Sequence, residues 1–433
     1  MIVPRLALCL IALALTAAGV LAAAPDAAEA RTGSCLVPGF TAPCTVWFGK
    51  VTFVGDGDTI YVDVNGDGTR KSFSVRMTGF NATEQYVYTS NRKARRGECH
   101  SLEATARLEN LIKRSRGRVR LAAMDPSSHS RNRMRRSVAV KLRGRWRDVG
   151  RILVAEGHAF WLPNGNEWAW NADYSTLAER AATARRGIWS PTYCGLGPSD
   201  ASPLRVLVNA DADGADHDFI NGEWIRIRNL DPVNEVHLGG WWVRDSALRR
   251  FTFPDWATLP PGETLTVYAG DGTDTWTEFF WSQKGPVFEN PRFGEKVMGD
   301  GAYLFDPQGD VRAWMQYPCR ENCIDQYAGA LEVSAKPKGR EHVTVRNVAA
   351  FAVDLDGYRL QSPPYTYAFP RDSVLQPGEE MEIDVLGDPA EDSRLQKHWG
   401  EVGPILNNSG DRVKLTSFRE VVLDCYSFGN ATC

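Results

Sequence analysis

Residues 55–68 read Gly55-Asp-Gly-Asp-Thr-Ile-Tyr-Val-Asp-Val-Asn-Gly-Asp-Gly68. Asp56, Asp58, Asp63 and Asp67 fall in two tight clusters, each able in principle to hold a hard cation. The residues between them settle the local fold. Thr59 to Val64 alternates apolar and polar side chains, the period of a half-buried strand. Asn65-Gly-Asp-Gly68 has the composition of a hairpin turn. Ser72-Phe-Ser-Val-Arg-Met77 alternates again and is the return strand, with Arg76 on the face of Ser72 and Ser74. The second cluster begins like a calcium-binding EF-hand loop, but Ser74 stands where the bidentate glutamate belongs. Between two alternating strands it reads as a hairpin turn, and Asp56-Gly-Asp58 taken alone is also most often a turn.

Outward from this hairpin, strand-like and helix-like segments alternate. Leu102 to Arg116 places Leu108, Leu111 and Ile112 on one helical side. Arg118 to Ala123 and Ser137 to Leu142 read as strands, and Val149 to Gly157 and Tyr174 to Arg186 as helices. The run Cys-Gly-Leu-Gly-Pro-Ser-Asp-Ala-Ser-Pro from Cys194 has linker composition. Beyond it come short strands with Gly and Pro turns, the pattern of β-sandwiches. That region repeats itself. Glu223-Trp-Ile-Arg-Ile-Arg-Asn229 answers to Glu341-His-Val-Thr-Val-Arg-Asn347, and Leu238-Gly-Gly-Trp241 to Leu355-Asp-Gly-Tyr358. Leu259-Pro-Pro-Gly-Glu263 answers to Leu375-Gln-Pro-Gly-Glu379, and Gly299-Asp300 to Gly410-Asp411. The expected organisation is a signal peptide at 1–30, a cysteine-bearing lead at 31–48, a mixed α+β domain at 49–195, and two sandwiches at 204–318 and 338–433.

Composition bounds the setting. A chain of 433 residues predicts more than one domain. Arg5, an apolar run from Leu6 to about Ala24 and the Ala28-Glu-Ala30 pattern predict export, removing Cys9 with the signal. Eight cysteines then remain: Cys35, Cys44, Cys99, Cys194, Cys319, Cys323, Cys425 and Cys433. An even count in an exported chain reads as disulfides. Sequence alone does not fix their pairing. Proximity suggests Cys35–Cys44, Cys319–Cys323 and Cys425–Cys433, leaving Cys99–Cys194. Zinc is the rival reading, but no Cys-x-x-Cys pairs are present. The net charge of −3 hides a split: residues 31–198 carry 27 Lys and Arg against 14 Asp and Glu, while 199–433 carry 22 against 37. A basic domain joined to an acidic one suggests a polyanion partner for the first.

Four landmarks, in order, resemble a staphylococcal-nuclease-type (thermonuclease) domain over about residues 49–191. They are Asp56-Gly-Asp58-Thr59; Arg76 with Glu84 eight residues on; Arg136 before Val138-Ala-Val140; and Leu153-Val-Ala-Glu-Gly-His-Ala159 followed by Arg185-Arg-Gly-Ile-Trp-Ser190. The resemblance implies a five-stranded OB-fold barrel with three helices. It implies Glu84 as the base, Arg76 and Arg136 as phosphate clamps, and Asp58 as a Ca²⁺ ligand with Asp56 at the edge of the site. That division fits phosphodiester hydrolysis, in which a carboxylate activates water and arginines meet the growing charge.

Two departures stand out. Asn81 occupies the place of the family's second metal-binding aspartate and brings no charge. The family's Asp-x-Tyr-Gly-Arg is here Asn132-Arg-Met-Arg-Arg136, so Arg135 competes with Arg136. Phe160 and Trp161 are candidates to stack on a nucleotide, with core packing the equal alternative. The distal repeats resemble lamin-tail-type domains, which are immunoglobulin-like sandwiches serving as binding or spacing modules. The expected protein is a secreted Ca²⁺-dependent nuclease acting on DNA or RNA, with preference for single strands or frayed ends. Its acidic modules would face an unknown ligand or surface, or fold against the basic domain. The alternatives are a non-catalytic nucleic-acid-binding scaffold and an extracellular adhesion protein.

Overall fold

The computed structural model describes residues 30–85, 97–194, 202–210, 217–293, 296–371 and 373–433. Nearly all of the expected signal peptide and most of the expected linker lie outside these residues. Among the described residues, no helix is long and apolar enough to cross a membrane. The chain is mostly β, in several sheets.

The first block opens with β1 (Arg31–Ser34), β2 (Pro43–Val54), β3 (Thr59–Val64) and β4 (Ser72–Met77). Then come α1 (Ser101–Arg114), β5 (Arg118–Ala123), β6 (Arg133–Leu142), α2 (Val149–Ala155) and α3 (Asn171–Thr183). β2 pairs with β3, and β3 with β4. β4 runs parallel to β6, β6 pairs with β5, and β5 pairs back to β2. The pairing path therefore returns to its start. β2 can serve two partners because it is long and carries an irregularity between Val51 and Phe53. At the crossover Gly49 pairs with both Val64 and Val119. A Cβ there would lie 2.6 Å from the Asp63 carbonyl oxygen, so only glycine lets the strands approach. Inside sit Ile60, Val62, Val75, Val119, Leu121, Val138 and Val140, covered by Leu108 and Leu111 of α1.

Four disulfides join Cys35 to Cys44, Cys99 to Cys194, Cys319 to Cys323 and Cys425 to Cys433. The second closes the longest loop, tying the entry of α1 to the end of the block.

Each distal module is two four-stranded sheets. In the first, Leu204–Asn209, Trp224–Asn229, Thr264–Tyr268 and Glu278–Phe280 form one sheet. Arg250–Thr252, Trp242–Asp245, Asp300–Phe305 and Val311–Tyr317 form the other. The second module repeats both strand orders, including the parallel pairing of its third and fourth strands. The asparagine of the repeated Arg-Asn is explained by its contacts. The Asn229 amide donates to the carbonyls of Asn234 and Leu259, and the Asn347 amide to those of Phe351 and Leu375. Each pins the loops at one end of its sandwich.

The first sandwich docks on the first block through the outer face of its second sheet. The ring of Phe160 lies 4.9 Å from Tyr303 and 5.9 Å from Phe305, and Trp189 lies 5.5 Å from Trp314. Tyr303, Phe305 and Val311 belong to the same apolar cluster as the first block's core. Phe160 and Trp161 are fully buried. They are interface and core, not a stacking platform for a nucleotide.

Candidate functional site

Asp58 sits at the head of β3, and its position is fixed several ways. Its backbone N–H donates to Asp56 Oδ1 at 3.1 Å, and its carbonyl accepts from Met77 N–H at 2.8 Å. Asp58 Oδ2 accepts from Ala82 N–H at 2.9 Å. Between the two aspartates Gly57 faces α1. A Cβ there would stand 2.6 Å from Ala82 Cβ and 3.0 Å from Ala104 Cβ. The Asp-Gly-Asp pattern is thus required by packing as well as by charge.

Arg76, on β4, is buried and donates to both Asp58 Oδ1 and Asn81 Oδ1. Burial pushes the Asp58 carboxyl up to about 7, with Arg76 opposing and Asp56 and Glu84 reinforcing the shift. Asn81 is held from its other side: its amide donates to the Ser246 carbonyl of the first sandwich at 2.6 Å.

Glu84 is half-buried. Burial raises its carboxyl above the usual range, opposed by Arg76 and reinforced by Asp56. Its backbone is clamped to Glu98: Glu84 N–H donates to Glu98 Oε2 at 2.8 Å, and Glu98 N–H to the Glu84 carbonyl at 2.7 Å. Arg76, Asn81, Glu84 and Glu98 line one cleft of about 580 Å³. Its other charged side chains are all arginines: Arg131, Arg133 and Arg135 from the first block, Arg244 and Arg250 from the sandwich. Six guanidinium groups against two carboxylates give the cleft a positive lining.

Arg136, expected as the second clamp, is not among them. The register of β4 on β6 sets Arg76 beside Arg135, so Arg136 points to the opposite face. There it is buried, donating to the carbonyls of Pro126, Ser128 and Arg135, with its guanidinium 4.6 Å from the centre of the Trp47 ring. It holds the 126–128 loop. Arg135, its neighbour in sequence, lines the cleft. Sequence reasoning also missed Arg131, Arg133 and Glu98, whose only signal was their nearness to the landmarks, and Arg244 and Arg250, which gave no signal.

Asp58 Oδ1 and Asn81 Oδ1 converge on one cationic group, the Arg76 guanidinium. Both are hard oxygens of the kind a calcium ion takes, and the Arg76 guanidinium fills the focus they share. Asp56 adds an edge oxygen already engaged with Asp58 N–H. A second group of possible ligands among the described residues, His342, Glu382 and Asp384, lies on the second sandwich. Arg340 pairs with both of its carboxylates.

Residues 201–319 match the family model of the Lamin Tail Domain. This stretch is the immunoglobulin-like first sandwich. No curated protein matches the chain. The lamin tail domain is therefore the module that supplies Trp242, Arg244, Ser246 and Arg250 to the cleft wall.

Proposed function

We propose that the chain is an exported phosphodiester hydrolase acting on nucleic acid, its first block a thermonuclease-type OB barrel. The observation that carries this reading is the meeting of Glu84 and Arg76 in a cleft whose other charged side chains are Glu98 and five arginines. The closed pairing path with three α-helices supports the barrel. The disulfides support export.

In this reading Glu84 takes a proton from water as the water oxygen bonds phosphorus. The ester oxygen leaves and is protonated from solvent. A carboxyl raised by burial is a stronger proton acceptor than a free one. Arg76 and Arg135, adjacent across the β4–β6 pairing, meet the charge that develops on the phosphate oxygens. Asp58 and Asn81, with Asp56 at the edge, would hold Ca²⁺, which supplies Lewis-acid polarisation of the phosphate when bound.

The test is cleavage of labelled single-stranded DNA and RNA by the full chain and by Glu84→Gln, with Ca²⁺ or a chelator. A fall of at least about 100-fold in the variant is expected, the ordinary worth of a general base. Equal cleavage by both proteins defeats the mechanism. Binding without cleavage by either makes the chain a scaffold.

A further inference from the structure

We infer that the lamin tail domain completes the active cleft, with Arg244 serving as a third phosphate clamp, opposite Arg76 and Arg135. This rests on the reading of the cleft as a phosphodiester site.

Arg244 lies on the strand Trp242–Asp245 and is 4 % exposed. It lines the cleft, yet its Nε and Nη2 have no hydrogen-bond partner among the described residues. Its guanidinium rests 4.4 Å from the centre of the Phe160 ring and 5.4 Å from that of Phe305. Aromatic faces fix the plane of the group and leave its donor edge unsatisfied. Glu98, Asp245 and Glu84 act on this cation from a distance, but two buried donors without acceptors are costly, and an oxyanion accepting from them offsets that cost.

The sandwich itself does not need an arginine here. Aligning Trp241 with Tyr358 sets Arg244 against Gln361 in the second module, whose strands pair in the same order.

The group is also positioned from behind. Asp245 accepts from Arg249 N–H and Arg249 Nη1, each at 2.8 Å. Asp300 accepts from Ser246 N–H at 3.0 Å. These bonds hold the 245–249 turn, and Ser246 in turn holds Asn81. Two consecutive stretches of the lamin tail domain thus reach the cleft, one orienting Asn81 and the other presenting Arg244. The anion that fits is a nucleic-acid backbone phosphate gripped by Arg76 and Arg135 on one wall and Arg244 on the other.

The experiment uses the full chain in a Glu84→Gln background, so that binding is read without turnover. The probe is a fluorescein-labelled 12-nucleotide single-stranded DNA, titrated over a range of salt. Arg244→Gln is expected to weaken Kd at least tenfold and to flatten the slope of log Kd against log salt by about 0.7, one phosphate contact on a single strand. A folded Arg244→Gln protein with unchanged Kd and slope overturns the inference while leaving the hydrolase reading intact. If that variant does not fold, the Nε–H resonance of Arg244, assigned by its loss in Arg244→Lys, carries the test. It is expected to shift on saturation with the oligonucleotide, and an unmoved signal overturns the inference. A wild-type chain that neither cleaves nor binds the oligonucleotide overturns both readings together.

Discussion

The side-chain amide of Asn81 donates to the backbone carbonyl of Ser246 at 2.6 Å, across 165 positions of sequence. That bond joins the first block to the lamin tail domain at the edge of the cleft. It also gives a reason for asparagine at this place. An aspartate would supply charge to a cation but would set a carboxylate against the Ser246 carbonyl. Asn81→Asp is therefore predicted to act in two opposite directions. The Ca²⁺ needed for half-maximal cleavage should fall about tenfold, because ligand charge tunes such sites. Stability should fall by about 1–3 kcal/mol, the cost of an unsatisfied buried acceptor. Calcium titration of activity and thermal melts of the same protein read the two effects, and an unchanged calcium requirement contradicts the assignment of Asn81.

Arg135 and Arg136 are predicted to exchange the roles that motif position suggests. Arg135→Gln should lower kcat/KM at least tenfold with little change in melting temperature, since this side chain lines the cleft. Arg136→Gln should do the reverse. It removes donors from the carbonyls of Pro126, Ser128 and Arg135 and breaks the contact with Trp47, a loss of about 3 kcal/mol. Kinetics and denaturant melts on both variants decide the matter. A stable Arg136→Gln with large kinetic loss would restore the motif-based reading.

Gly57 is predicted to be intolerant of even one methyl group. The added Cβ would come within 2.6 Å of Ala82 and 3.0 Å of Ala104. Relief requires α1 or the Asp58 turn to shift, at about 1–3 kcal/mol for overpacking. Because Asp58 is the next residue, activity should fall by more than the stability loss implies. Gly57→Ala that keeps full activity and its melting temperature would show that the packing has slack.

The hairpin was readable because its periodicity is clean: the strands Thr59–Val64 and Ser72–Met77 are bounded as the alternation predicts, as is Arg118–Ala123. The strand expected from Ser137 instead begins at Arg133. A run of four charged or large side chains hides alternation; parallel pairing to β4 from Met134 and antiparallel pairing of Arg133 with Ser130 extend it. The same run explains the exchange of Arg135 and Arg136. Adjacent residues on a strand face opposite sides, and the sequence carries no mark of which side is the cleft. The helix expected from Tyr174 begins at Asn171, where a 3₁₀ turn over Trp168–Trp170 leads into it. The repeat announced two sandwiches through its turn and Arg-Asn positions. That the first of them walls the cleft was not legible, because Asn81–Ser246 and Phe160–Tyr303 are contacts between segments far apart in sequence. Opposite net charges hinted only at attraction between the two parts.

Glu167 is predicted to make stability depend on pH. It is fully buried and accepts from Met124 N–H at 2.8 Å and Asp125 N–H at 3.3 Å. Burial nevertheless dominates and pushes its carboxyl from 4.5 up to about 7. The charges that bear on it are Arg136, which opposes the shift, and Asp125, which reinforces it; Arg135 also feels Glu167. A carboxyl raised on folding keeps a proton in the native state that the unfolded chain has already lost. Its contribution is complete below pH 4.5 and is lost as pH rises through 7, amounting to about 3 kcal/mol by linkage. Asp58, also raised by burial, adds a dependence of the same sign, so the wild-type melt alone does not isolate Glu167. The difference between wild type and Glu167→Gln does. Glutamine does not titrate, so the melting temperature of wild type should fall relative to the variant by several degrees across this window. A constant difference from pH 4.5 to pH 8 would show that Glu167 is already ionised in the fold, held so by its two backbone donors and Arg136.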